Sequence, residues 1–175
     1  MENSTLTSLD SRAGEDITKV NSLQELLKRS NFDFEVEKVN LHTPEGDEVP
    51  DRFLLRRDDN KHVLGVVGKR YNPVNNHTTL EPFHELVERH GAKYESAGLI
   101  RGGKKCWVSA TLPGNFHVPG RTHDVIEQRI VALIAHDGLG RNAYFTLANR
   151  VVCNNQLRML TDNAQRSKFG FTHTQ

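Results

Sequence analysis

The stretch of sequence that decides the fold is ALIAHDGLGRNAYFTLANRVVCNNQLRML, residues 132–160. It begins as an apolar segment, passes through His136-Asp137-Gly138-Leu139-Gly140, and continues into a second segment rich in apolar residues. Asp and Gly satisfy the backbone of a tight turn and supply its left-handed angles, so the pattern is typical of a β-hairpin. We therefore predict a hairpin with strands over 125–135 and 141–148.

A basic junction with Cys153 follows this hairpin, and then a segment with helical spacing of Leu157, Leu160 and Ala164. The spacing predicts a helix over roughly 154–165, capped by Asn154 or Asn155. The terminal KFGFTHTQ predicts a short strand.

The same signals extend towards the N-terminus. KYESAGLI and KCWVSATL flank Arg101-Gly102-Gly103-Lys104, where two glycines supply the positive backbone angles of a hairpin turn. PGNFHVPG, residues 113–120, is predicted to interrupt the sheet. Alternating apolar residues predict earlier strands over 32–36, 53–56 and 62–67, and helical spacing predicts helices after Ser22 and over about 78–90. The sequence thus predicts an α+β fold, a mostly antiparallel sheet of hairpins packed by two or three helices.

The length of 175 residues predicts one domain, over 21–175, after a mobile polar tail at 1–20. The first residues lack the pattern of a secretory signal, and no apolar run is long enough to span a membrane. Two cysteines, Cys106 and Cys153, form no disulfide framework. We therefore expect a protein of a reducing cytosol, with no membrane partner.

Charge is distributed unevenly along the chain, although the net charge is only +1. Residues 1–100 hold 13 Lys and Arg against 18 Asp and Glu, whereas residues 101–175 hold 10 against 4. Such asymmetry is typical of a chain with one end that meets an anion, most often nucleic acid.

Two basic turns carry neighbouring aromatic residues. In the first, Lys69 and Arg70 stand beside Tyr71, and in the second, Arg101, Lys104 and Lys105 stand close to Trp107. Cations follow a phosphate backbone and aromatic rings accept stacked bases, so these turns predict contacts to a single strand of nucleic acid. Further arginines lie along the closing hairpin and helix. The predicted nucleic-acid-binding residues are Lys69, Arg70, Tyr71, Arg101, Lys104, Lys105, Trp107, Arg141, Arg150 and Arg158.

The alternative hypothesis is catalysis. Histidine side chains can exchange protons near neutral pH, so His136 could exchange a proton with Asp137, with His173 as a third member. Against this, adjacent residues of a strand point to opposite sides, and Asp137-Gly138 suits a plain turn. His84 and His90 in HELVERH are six residues apart and do not converge as metal ligands would. We expect no metal site and no cofactor.

The motifs VLGVVGKRYNPVNN, YESAGLIRGGKKCWVSATLPG and HDGLGRNAYFTLANRVVCNNQL, with a final FTHT, resemble a phage- and plasmid-borne family that carries a domain of unknown function. The resemblance covers about residues 32–174. The resemblance implies a gene on a mobile element, a place in the cytoplasm of a bacterial host cell and no established reaction. Many members of the family extend further at the C-terminus. The polar positions that match the family's pattern are Lys69, Arg70, Tyr71, Gly102, Gly103, Trp107, His136, Asp137, Gly138, Arg150, Asn154 and His173.

The predicted order from 93 to 165 is also similar, at the level of fold alone, to phage single-strand annealing proteins. Our expectation is a DNA-metabolism protein that binds single-stranded DNA, promotes annealing and recombination, and works as a homo-oligomer. The alternatives are a hydrolase or nuclease that uses His136, Asp137 and His173, and a regulatory module that binds another protein.

Overall fold

The structure is a computed structural model that describes residues 14–114, 116–118, 121–126, 128–147 and 170–171. Two α-helices and three sheets make up this part of the chain, and every strand pairing in it is antiparallel, which confirms the predicted α+β class. The predicted helix over 154–165 lies outside the described residues. No helix of the described part is long and apolar enough to cross a membrane.

A three-stranded sheet is formed by the first half of the chain. Its strands are β2 (Val36–His42), β3 (Glu48–Arg57) and β4 (Val63–Gly68), in the order β2-β3-β4. Turns at 43–47 and 58–61 connect them, because the sequences TPEGD and DDNK favour tight turns. β4 is therefore an edge strand, and this position decides what it can contact.

The remaining strands are β1 (Glu15–Asp16), β5 (Lys93–Ile100), β6 (Lys105–Thr111), β7 (Phe116–Val118), β8 (Arg121–Ile126), β9 (Arg129–Ala135), β10 (Asn142–Leu147) and β11 (Gly170–Phe171). Six of them form a sheet, mainly from the second half of the chain, in the order β1-β5-β6-β9-β10-β11. Both predicted hairpins lie at the centre of this sheet. A separate two-stranded sheet pairs β7 with β8.

The two helices pack on each other and on one face of the six-stranded sheet. Helix α1 (Leu23–Arg29) starts at Ser22, whose Oγ accepts a hydrogen bond from Glu25 N at 3.2 Å, as the capping pattern predicts. Helix α2 (Asn76–His90) ends at Gly91, which adopts a φ of 63°. Leu80, Phe83 and Val87 of α2 are buried in the main core.

Buried polar side chains tie α2 to the β9–β10 hairpin. Asn142 accepts from Ala135 N at 2.8 Å through Oδ1 and donates to Thr79 Oγ1 at 3.3 Å through Nδ2. Tyr144 donates its hydroxyl hydrogen to the backbone oxygen of Thr79. Since buried polar groups are costly unless they are paired, these contacts fix the helix in one register on the sheet.

Strand β4 lies against the turn that follows β9. A Cβ added at Gly65 would stand 2.3 Å from the backbone oxygen of Asp137, and one added at Gly138 would stand 2.5 Å from Val67 Cγ1. A Cβ added at Gly102 would stand 2.5 Å from the ring of His62, just before β4. The edge of the small sheet therefore runs along both hairpin turns at one end of the large sheet.

Three local predictions differ from the structure. Phe32 and Phe34 are buried, but the strand begins only at Val36, because the backbone of Glu35 pairs with Asp58 and not with a neighbouring strand. The single strand predicted over 125–135 is two strands, since β8 pairs with β7 and β9 with the large sheet. The interruption predicted over 113–120 contains β7.

Part of the predicted N-terminal tail belongs to the fold. Glu15 and Asp16 pair with Ala97 and Ser96 of β5, and Ile17 and Val20 are buried. The sequence did not predict this pairing, because Ile17 and Val20 are two apolar residues in a polar stretch and show no clear periodicity. Residues 1–13 lie outside the described part.

Candidate nucleic-acid interface

An open groove of about 750 Å³ lies between the small sheet and the turn after β9. It brings the first predicted basic turn next to the His136–Gly140 turn, although some 70 residues separate them in sequence. The groove is lined by Pro50, Asp51, Arg52, Val66, Val67, Gly68, Lys69, Arg70, Tyr71, Gly138 and Leu139.

Three exposed cations, Arg52, Lys69 and Arg70, line this groove. Asp51 is the acidic residue among the lining residues. Within the described ranges none of the three cations forms an ion pair. Three cations against the one carboxylate of Asp51 leave the lining of the groove net positive, and this charge acts on whatever enters the groove.

Lys38 fixes the backbone that presents Lys69 and Arg70. Its Nζ donates to the backbone oxygens of Lys69 at 2.7 Å and Tyr71 at 2.6 Å, and it stands 4.5 Å from the centre of the Phe53 ring. Because Lys38 holds the carbonyl groups of this turn, the two cations extend from a fixed base.

Asp137 builds the opposite wall of the groove. Its Oδ1 accepts hydrogen bonds from Leu139 N at 2.9 Å and Gly140 N at 2.8 Å. Its Oδ2 lies 4.0 Å from Lys105 Nζ. The two hydrogen bonds to Oδ1 are those of an Asp that forms a turn.

We expect Gly138→Ala to lower the free energy of unfolding by about 2–3 kcal/mol, because a positive φ of 73° and the contact with Val67 both oppose a Cβ. Gly46→Ala is the matched control, since Gly46 has a φ of 97° but open space around it. It should cost only about 1 kcal/mol. Urea unfolding measures both. Equal losses would contradict the packing of this turn on β4.

His136 is completely buried and lies behind the turn. Its Nε2 is 2.8 Å from Asn76 Oδ1, and its ring meets Phe34 edge-on, with ring centres 5.9 Å apart. Asn76 Nδ2 donates to Phe32 O at 3.0 Å, so Oδ1 is the acceptor and Nε2 of His136 carries the proton. This placement describes a structural histidine, and it separates the ring from Asp137, whose side chain faces the turn.

The two aromatic residues predicted to stack on bases differ in exposure. Tyr71 lines the groove but packs partly against the core, and burial together with the nearby Asp137 carboxylate raises its pKa to about 12. Trp107 is 1% exposed and packs with Val131 and Leu133 on the other face of the large sheet. Trp107 therefore offers no exposed ring face, which argues against its predicted stacking role.

The second basic turn lies at the same end of the large sheet but is not part of the groove wall. In this second turn Arg101 is exposed, while Lys104 and Lys105 are half-buried. Arg57 holds this turn, because its Nη1 donates to Gly102 O at 3.1 Å while its other nitrogens pair with Asp59. Arg141 is also exposed, but it follows the other turn, 136–140. The predicted residues Arg150, Arg158, Asn154 and His173 lie outside the described residues.

Three of the groove residues that sequence reasoning did not single out give the groove part of its charge and its exposed apolar surface. Arg52 precedes the predicted strand and carried no motif. Val66 is an ordinary strand residue in the sequence, and the structure exposes it. Of the three, Leu139 was the easiest to recognise from the sequence, because a leucine between two glycines in a polar turn is expected to be exposed.

Among the residues that the structure describes, no group of three or more His, Cys, Asp or Glu is placed to hold a metal ion. The fold and groove define an α+β domain with an open, basic surface cleft. Residues 63–175 match the family model described as "Domain of unknown function (DUF932)", and the chain belongs to this family. No curated protein and no solved structure matches the chain.

Proposed function

We propose that this protein binds single-stranded DNA in the groove between β4 and the turn after β9. The observation that carries the proposal is the set of three exposed cations, Arg52, Lys69 and Arg70, that no carboxylate of the described residues pairs. Such a surface favours a polyanion, and the open cleft suits a flexible strand.

In this proposal the cations hold successive phosphates and neutralise their repulsion. Arg101 and Arg141, exposed at the neighbouring turns, extend the positive surface beyond the groove. A strand held in this way keeps its bases available for pairing, so annealing during recombination is the finer activity that we propose. It would need no cofactor, and a homo-oligomer would align several grooves along one strand.

The proposed setting is the DNA metabolism of a phage or plasmid in the cytoplasm of a bacterial host. This setting depends on the sequence motifs that resemble proteins of mobile elements. A catalytic role finds less support, because the His136 ring is buried and Asp137 forms the turn.

Fluorescence anisotropy of a labelled single-stranded oligonucleotide tests the proposal. We expect binding at low salt. A plot of the logarithm of the association constant against the logarithm of the salt concentration should be linear, with a negative slope of about 0.7 for each phosphate contact. Absence of binding at low salt would contradict the proposal. In that case, binding of an acidic protein would explain the basic surface better.

A further inference from the structure

The groove has an apolar wall beside its cations. Three large apolar side chains are exposed among the described residues, namely Val63 at 44%, Val66 at 48% and Leu139 at 87%. Val66 and Leu139 both line the groove with Arg52, Lys69 and Arg70. The ligand that fits this surface therefore combines anionic and apolar parts.

The position of Leu139 is held firmly. Asp137 Oδ1 accepts from Leu139 N, and the turn packs so closely on β4 that Gly65 and Gly138 have no room for a Cβ. Val66 lines the groove from β4, and Leu139 lines it from the turn that packs on β4. A fixed turn that leaves its leucine in water gains no burial from it within the described fold.

We infer that Leu139 and Val66 contact the unstacked bases of the strand, while the cations hold its phosphates. This inference rests on the proposed function and assigns the residues that select single strands over duplex. Base faces are apolar and accessible only where the strand is unpaired, whereas a duplex presents mainly its phosphates. Tyr71 is half-buried and Trp107 is buried, whereas Leu139 is exposed. Leu139 is therefore the side chain that makes the apolar contact with the bases.

The test compares wild type with Leu139→Ala on two probes of equal length, a single-stranded oligonucleotide and the same strand with abasic sites throughout. We expect Leu139→Ala to weaken binding of the base-bearing strand about tenfold, since most of an apolar contact is lost. The salt dependence should be unchanged, because no cation is removed. On the abasic strand the two proteins should bind equally.

Val63→Ala is the matched control, because Val63 is similarly exposed at the start of β4 but is not among the groove's lining residues. It should bind both probes like wild type. Equal binding of the base-bearing strand by wild type and Leu139→Ala would overturn the inference and leave the proposed function intact. Equal weakening on both probes would also overturn it, since Leu139 would then act by shaping the turn. If wild type binds neither probe at low salt, the proposed function fails and the inference with it.

Discussion

Replacing His136 by alanine is expected to lower the free energy of unfolding by about 3 kcal/mol. The side chain is fully buried, so its loss leaves a cavity under the turn. It also leaves Asn76 Oδ1 without the N–H group that stands 2.8 Å away. Both effects act on the contact between α2 and the β9–β10 hairpin.

His77→Ala is the matched control, because His77 follows Asn76 on α2 but is exposed. It should change the free energy of unfolding by less than about 0.5 kcal/mol. Urea unfolding followed by circular dichroism measures both variants. An unfolding midpoint for His136→Ala equal to that of wild type would contradict the structural role of this histidine and would reopen the catalytic hypothesis.

Reversing two charges in the groove, Lys69→Glu with Arg70→Glu, is expected to weaken binding of a single-stranded oligonucleotide by at least about 100-fold at low salt. Two attractive contacts to phosphate would become repulsive. Both side chains are exposed and unpaired within the described part of the chain, so the fold should be unaffected.

The control for this variant carries the same change of net charge at the far end of the large sheet. Arg89 lies in the last turn of α2, where it pairs with Glu85, and Lys93 begins β5, eight residues before Arg101 of the hairpin turn. Arg89→Glu with Lys93→Glu should weaken binding only modestly, through long-range charge that salt screens. Equal weakening by both double variants would show that net charge and not the groove governs binding.

Much of the fold could be predicted because its signals are local. Gly91 ends α2, Ser22 caps α1, and the turns at 101–104 and 136–140 join strands of alternating or continuous apolar residues. The sequence could not show that residues 125–135 belong to two strands, because β8 and β9 pair with different sheets and β9 finds its partner β6 about 20 residues away.

The site could be predicted only in part, for a related reason. Lys69, Arg70 and Tyr71 stood out as a basic turn, and the structure places them in the groove. Asn76 and His136 look like surface polar residues in sequence, whereas their burial depends on each other across 60 positions. Trp107 alternates with core residues of β6, and only the pairing of strands reveals that it lies on the other face.

The central claim is that Lys69 and Arg70 hold phosphates, and the salt dependence of binding tests it most directly. For wild type and for Lys69→Ala with Arg70→Ala, the association constant of a single-stranded oligonucleotide is measured over a salt series. The account predicts that the log–log slope becomes shallower by about 1.4 in the double variant, because two phosphate contacts of about 0.7 each are lost. Identical slopes for the two proteins would contradict it.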